Sequence, residues 1–233
     1  VIIVLAMVAA RKLPTQQEEQ VAEQEPETEE AREGNPAAEG AKLVMRSRYL
    51  LSVATIVGLY EMVSTIMDFQ FTSTVIHYLD GDAIGAQFAR VFMITNFVAM
   101  GVQLFLTSLV MTRFGVGTAL LVLPCAALLG SAGFMIAPIL LIGSALNTCD
   151  NGFSYSVNQS AKEVLYVPTA RDEKYKAKAF IDMFVQRFAK ALAVGLSLVI
   201  TLVFTGFESL RWLSLVTIVI LVLWIMAARY VGG

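Results

Sequence analysis

Six long apolar stretches, at roughly residues 49–79, 84–111, 114–133, 136–166, 178–205 and 209–230, fill the chain from residue 49 onward. Each reaches or exceeds the ~20 residues that carry an α-helix across the ~30 Å hydrocarbon core of a bilayer. Only helices and closed barrels satisfy every backbone N–H and C=O in that medium, and a barrel strand needs only about 10 residues. The pattern therefore predicts an all-α fold, a polytopic membrane helix bundle in contact with a lipid bilayer. Several stretches are longer than a perpendicular crossing needs, so tilt or protrusion into water is expected. A composition of 57% hydrophobic and 15% charged residues, with a mean hydropathy of +0.68, exceeds what a soluble domain carries.

The same composition narrows the chemistry. His77, Cys125 and Cys149 are the full complement of their types, too few for a zinc site of several ligands or a disulfide framework. The net charge of −2 conceals an asymmetry. Glu18, Glu19, Glu23, Glu25, Glu27, Glu29, Glu30, Glu33 and Glu39 lie in one short segment, and without them the chain is basic. That segment belongs to residues 11–48, a charged linker without apolar periodicity, expected to be disordered or only partly helical. Before it stands VIIVLAMVAA, residues 1–10, too short to cross a bilayer and without the basic start of a signal peptide. It reads as the end of a truncated transmembrane helix. Residues 49–233 form the six-helix membrane domain.

Lys and Arg in short loops favour the cytoplasmic side. Arg11, Lys12, Lys42, Arg46 and Arg48 flank the linker, Arg113 lies in the next loop on that side, and Arg171, Lys174, Lys176 and Lys178 lie in the third. The opposite loops carry Asp80, Asp82 and Glu208, with Arg211 the exception. Linker and C-terminus are thus expected in the cytoplasm. A truncated helix, a long charged cytoplasmic linker and six spans ending inside are the layout of the C-terminal half of a major-facilitator-type transporter. This layout implies the N-terminal half of the same transporter as a partner.

Polar residues within the apolar stretches are the candidate functional groups. Lys162 and Glu163 lie roughly 6–9 Å inside the cytoplasmic end of their helix. They suit either an interfacial charge pair or a binding or gating role. Asp182, Arg187 and Lys190 fall within an arc of roughly 140° on an ideal helix, with Lys190 ~18 Å beyond Lys178. A cation at that depth costs at least ~2.5 kcal/mol unless it faces a partner, an aqueous cavity or an anionic ligand. Asp68 lies ~15 Å before Tyr78, and Glu61 two turns nearer the cytoplasm. Their readings are a proton or cation relay, a gate partner for Lys190 or Arg187, or a satisfied structural acid. His77 suits the far interface. Asn147, Asp150, Asn151 and Asn158 give the fourth stretch a polar face, and Gly143 and Gly152 permit close helix approach or local unwinding.

The block SAKEVLYVPTARDEKYKAKAFIDMFVQRFAK adds a resemblance. Lys162, Glu163, Tyr166, Val167 and Pro168, then Lys174, Lys176, Lys178, Ala179, Ile181 and Asp182, then Arg187 and Lys190 follow one family pattern. It has the form K-E-x-x-Y-[IV]-P, K-x-K-x-K-A-x-I-D and R-x-x-K. The chain resembles the ATP/ADP translocases, nucleotide transporters of plastids and obligate intracellular bacteria, with weaker similarity through RFGVGTALLVLPCAALL and around Asp68. The resemblance implies a divergent member that exchanges nucleotides such as ATP and ADP, or a related phosphorylated anion, by alternating access. Lys190, Arg187, Lys162 and Asn158 become candidate substrate-binding residues, and Asp68, Glu163, Asp182 and Glu61 candidate gate or ion-pair residues. No bond is broken, so neither an enzyme nor a cofactor is implied, and no nucleic acid. A bacterial inner membrane is the expected location. The alternative is a transporter-fold subunit that no longer transports and anchors a partner or larger membrane complex.

Overall fold

A computed structural model describes residues 36–169 and 171–232. Helices account for nearly all of them, and no strand occurs among the described residues. A short α1, Pro36–Arg46, precedes α2, Arg48–Tyr78. Helix α3 runs over Asp82–Gly101, passes through a π-helical stretch, Val102–Thr107, and finishes over Ser108–Arg113. Helix α4 is Gly115–Ile136. Helix α5 comprises Leu140–Phe153, a π stretch Ser154–Asn158 and Gln159–Leu165. Helix α6 comprises Arg171–Phe180, a π stretch Ile181–Val185 and Gln186–Val203, and α7 is Ser209–Gly232.

Local chemistry sets the ends. Ser47 caps α2 by accepting the Leu50 N–H on its hydroxyl at 3.3 Å, satisfying one of the orphan donors of a first turn. Only Phe114 separates α3 from α4, a reversal that Gly115 makes possible at φ 79°, where a side chain would be strained. Pro168, which has no N–H and disfavours helix in the residue before it, follows the end of α5. At the opposite end, the Tyr78 hydroxyl donates to the Pro138 carbonyl at 3.1 Å, and the His77 ring stacks on Phe207 at 3.9 Å. His77 thus sits at a helix end, packed on the α6–α7 connection.

Among the described residues, five helices are long and apolar enough to cross a membrane; α5, with Asn147, Asp150, Asn151 and Asn158, is too polar to count among them by composition. Helix α2 is the hub. It packs against α1, α5, α6 and α7, while α7 also lies along α4, and α5 along α3 and α4. Half of the most apolar window of α2 is buried (50%), against 17% in α3 and in α6. Helices α3 and α6 therefore present apolar faces outward, with Phe97 and Phe105 on one and Phe184 and Phe188 on the other. The interior is filled by large side chains, among them Trp224, Tyr166, Phe134, Ile66 and Leu213. One polar tie crosses it: the Gln70 amide donates to the Leu210 carbonyl at 3.0 Å and to the Ser214 hydroxyl at 2.8 Å. Both glycines singled out on α5 sit at close helix contacts. A Cβ on Gly143 would stand 3.3 Å from the Phe134 ring, and one on Gly152 would stand 3.0 Å from Val98.

Of the stretch 11–48 expected to be disordered or only partly helical, residues 11–35 lie outside the described residues, as does the expected helix end at 1–10. Residues 36–46 form α1, which is docked. Its Val44 is 2% exposed, Lys176 of α6 reaches Glu39 at 2.7 Å, and Gly40 meets the α6 backbone. Gly40, Leu43 and Val44 supply a short apolar face, enough for one helix turn to rest on α6.

The close approach at Gly40 yields a test. A Cβ there would lie 2.6 Å from the Lys176 carbonyl oxygen, whereas at Gly85 it would meet nothing within 4 Å. Gly40→Leu is expected to release α1 while the membrane helices stay folded, and Gly85→Leu to leave it docked. Amide hydrogen exchange over residues 36–46 reads the difference. Equal protection in both variants would remove the docking contact from the account.

Candidate functional site

The polar residues of α2 recur at Tyr60, Glu61, Ser64 and Asp68, spacings that place them on one face of a helix. On α5, Asn147, Asp150, Asn151 and Ser154 follow a matching rhythm. The two rows meet. The Asn147 amide donates to Asp68 Oδ1 at 2.7 Å, Ser64 Oγ donates to Asp150 Oδ2 at 2.6 Å, and the Tyr60 and Ser154 hydroxyls share a hydrogen bond. Asn147 is 2% exposed and Asp150 1%. Asp68 and Asp150 each stand ~15 Å from the helix end nearer the Tyr78 side, so the seam lies at mid-bundle. Helix α6 joins it from the other flank, where Lys190 Nζ stands 3.4 Å from Glu61 Oε2.

A second polar group lies at the basic end, between α5 and α6. Lys162 pairs with Asp182 at 3.0 Å, and Glu163 with Lys178 at 2.7 Å. The adjacent residues Lys162 and Glu163 thus reach opposite charges one turn apart on the neighbouring helix. The Lys178 ammonium also lies 5.8 Å from the centre of the fully buried Tyr166 ring, a favourable cation–π geometry. Asp182 accepts a further hydrogen bond from the Gln186 amide at 3.0 Å.

These contacts separate residues that an ideal helical wheel groups. Asp182 turns toward α5, while Arg187 and Lys190 are exposed and Lys190 reaches α2. Asp182 lies within the π stretch Ile181–Val185 and the two cations lie beyond it, and the wider turn shifts the angular phase of everything that follows. Arg187 forms no salt bridge among the described residues. Lys190 remains 57% exposed despite its pairing, leaving an ammonium and a guanidinium three residues apart on one accessible face of α6. Asn158 lies elsewhere. It is buried in the α5 π stretch, which packs on α4 and on the π stretch of α3.

Sequence reasoning offered Asp68 as a gate partner for Lys190 or Arg187, whereas the carboxylate that Lys190 reaches is Glu61, and it did not pair Asp150 with Ser64 or Tyr60 with Ser154. Spacing on α2 alone carried that signal. Arg90 also escaped notice. It lies on α3 ~12 Å beyond Asp82, exposed, on the rim of a groove of about 640 Å³ that Gln87, Ser144 and Thr148 also line. Any charged residue inside an apolar stretch is a flag for such a position. Among the described residues, no group of three or more His, Cys, Asp or Glu side chains is arranged to hold a metal ion.

The family described as TLC ATP/ADP transporter matches residues 1–140 and 135–233 of the chain. The plastidic ATP/ADP-transporter of Solanum tuberosum is 24% identical over 216 residues, covering 84% of this chain and 34% of its own length. ADP,ATP carrier protein 1 of Chlamydia trachomatis is 25% identical over 174 residues, 66% of this chain and 33% of the relative. ADP,ATP carrier protein 2 of the same organism is 25% identical over 216 residues, 82% of this chain and 39% of the relative. The chain thus spans between a third and two fifths of the length of these relatives. No solved structure matches it.

Two of the lysine–carboxylate pairs made by α6 differ in shelter, which sets their expected strengths. The Lys162 side chain is 11% exposed and 3.0 Å from its partner; that of Lys190 is 57% exposed and 3.4 Å away. Solvent screening leaves exposed pairs with ~0.2–1 kcal/mol of coupling, and shelter raises the value. A double-mutant cycle with Lys162→Met and Asp182→Asn is expected to give a coupling of about 1–2 kcal/mol. The cycle with Lys190→Met and Glu61→Gln should give less than about 1 kcal/mol. Unfolding of the full-length protein in detergent supplies the four stabilities for each cycle, and the reverse order would contradict the exposures.

Proposed function

Because the chain belongs to the TLC ATP/ADP transporter family, we propose that it is part of a membrane transporter exchanging nucleotides such as ATP and ADP, or a closely related phosphorylated anion. The observation that carries this reading is the pair Arg187 and Lys190, two cations deep along α6 on an exposed face, only one of which has a carboxylate partner among the described residues. An unpaired guanidinium at that depth is costly in hydrocarbon. It is stabilised where a water-filled cavity or an anionic ligand faces it. The planar fork of Arg187 matches two phosphate oxygens, and the Lys190 ammonium adds a flexible point charge.

In this reading the substrate moves by alternating access. The outward apolar faces of α3 and α6 receive the N-terminal half of the same transporter, and the exposed cations of α6 border the cavity between the halves. Without substrate, Glu61 neutralises Lys190. An arriving phosphate competes for the same ammonium and frees the carboxylate, so α2 and α6 are held together differently in the loaded and empty states. Lys162, Asp182, Glu163 and Lys178 fasten α5 to α6 at the basic end and keep the two helices moving as a unit. Asn158, buried in the present arrangement, takes part only if the α5 π stretch opens.

Uptake of labelled ATP and ADP into proteoliposomes containing the full-length protein tests the substrate class. Removing one charge-assisted contact is worth ~1.5–3 kcal/mol, or roughly 10- to 100-fold in affinity. Lys190→Ala is expected to weaken nucleotide binding by that factor, and Arg187→Lys to weaken it while keeping the charge. Wild-type affinity in Lys190→Ala would overturn the anion site. Stable copurification of the protein with a membrane complex, without uptake of any phosphorylated compound, would favour the anchoring role.

Orientation follows from the same proposal. The ends near Arg48, Arg113, Lys174 and Lys178 face the cytoplasm of a bacterial inner membrane, by their excess of positive charge. Single cysteines at Thr169 and Asp82, in a background lacking Cys125 and Cys149, report it in intact cells. An impermeant thiol reagent is expected to label position 82 and spare position 169; the opposite pattern would invert the bundle.

A further inference from the structure

The seam between α2 and α5 holds more negative charge than its neighbours neutralise. Glu61, Asp68 and Asp150 face it, and Lys190 is the cation that reaches it, through Glu61. Asp68 has the Asn147 amide as a hydrogen-bond donor, which solvates a charge without cancelling it. Asp150 is the extreme case. It is 1% exposed, its Oδ2 accepts from Ser64, and its Oδ1 is buried without any donor among the described residues. One turn away on the same face, Asn147 Oδ1 is also a buried acceptor without a donor, although the other end of that amide is engaged with Asp68.

Two orphan acceptors on one helix face have a shared need, which is a hydrogen or a positive charge between them. Leaving a buried acceptor unsatisfied costs ~1–3 kcal/mol, and a buried ionised carboxylate costs considerably more. Other groups packed around Asp150 do not meet the need. On α2, the Tyr60 hydroxyl is engaged with Ser154; on α3, Arg90 lies on the outer groove beside Cys149; α4 contributes no acidic or basic side chain and only Cys125 as a titratable group. Lys190 of α6 is committed to Glu61. A hard divalent cation takes about six oxygen ligands, and the buried acceptors left without donors at this point are two, Asp150 Oδ1 and Asn147 Oδ1.

We infer that the α2–α5 seam is a proton-binding site centred on Asp150, with Ser64 and Asn147 as its hydrogen-bond partners. The proton adds to carboxylate Oδ1 to give the neutral acid, whose O–H is the donor that the orphan Asn147 oxygen lacks. Ser64 continues to donate to Oδ2. Loss of the proton restores the carboxylate, so each cycle carries one positive charge on and off the seam. Glu61, one turn from Ser64 on α2 and paired with a half-exposed ammonium at 3.4 Å, is the next group toward water. A site of this kind makes the movement of an anionic substrate sensitive to the proton gradient. The binding of the proton itself needs only the bundle and does not rest on the nucleotide reading.

Infrared spectroscopy of the full-length protein in lipid bilayers tests the site without any substrate. The carbonyl stretch of a protonated, buried carboxylic acid is expected at neutral pH in the wild-type protein, to disappear in Asp150→Asn and to persist in Asp68→Asn. Ser64→Ala removes the donor to Oδ2 and should shift the band, which keeps the test decisive if Asp150→Asn fails to insert. A band unchanged in Asp150→Asn, or unmoved in Ser64→Ala, would overturn the proposal. So would a band abolished by sodium at constant pH, which would assign the seam to a metal cation. In proteoliposomes, an imposed proton gradient should change the rate of labelled ATP uptake several-fold in the wild type and leave Asp150→Asn unaffected. Equal gradient responses in the two would overturn the site. An intact Asp150 band with no uptake of any nucleotide would uphold it and remove the nucleotide reading alone.

Discussion

Helix α2 has to satisfy a polar stripe in a medium that offers no water, and the arrangement of its neighbours answers to that requirement. A helix bundle in lipid gains little from hydrophobicity, because the hydrocarbon outside is as apolar as the side chains inside. What distinguishes one packing from another is close fit and the pairing of groups that lipid cannot solvate. Tyr60, Ser64 and Asp68 find their partners on α5, Glu61 on α6 and Gln70 on α7. Three helices are thereby fixed around a fourth at defined rotations, and small residues such as Gly143 and Gly152 allow the approach.

The consequence is a division of labour between well-partnered and poorly partnered helices. Helices α2, α4 and α7 enclose Trp224, Phe134 and Leu213, whereas α3 and α6 each turn a broad apolar face outward. In the proposed transporter, those faces are the surface on which the rest of the molecule acts. The cations of α6 lie on that side of the bundle rather than in its sealed interior. Charges buried on both sides would lock; charges on an open face remain able to exchange partners.

Much of this was legible from the chain. The apolar stretch 136–166 became α5, ending at Leu165 before Pro168, and 209–230 became α7, because span length and helix breakers act locally. The motif from Lys162 to Lys190 led to the family that the whole chain matches. Pairing was the part that sequence could not supply. Lys162 with Asp182 and Lys190 with Glu61 depend on which helices become neighbours, and periodicity is silent on that. The helical wheel placed Asp182 beside Arg187 and Lys190 because it assumes a constant 3.6 residues per turn, and Ile181–Val185 does not obey that period. Helix α1 was hidden for a different reason. Its apolar face, Gly40, Leu43 and Val44, is too short to stand out from a Glu-rich surrounding, and its order comes from α6.

The π stretches in α3, α5 and α6 carry a mechanical meaning. Each holds one residue more than a regular turn accommodates, a dislocation stored inside an otherwise continuous rod. Letting that residue pass along the helix leaves both ends in place but swivels the segment in between by ~100°, the angle of one α-helical step. On α6 the dislocation includes Asp182 and ends before Arg187 and Lys190, and on α5 it ends at Asn158, just before Lys162. The side chains that grip at the basic end and those that grip at mid-bundle are therefore geared to each other through a slipping joint. A rigid bundle can only rock, whereas one with such joints can also turn its inner surface.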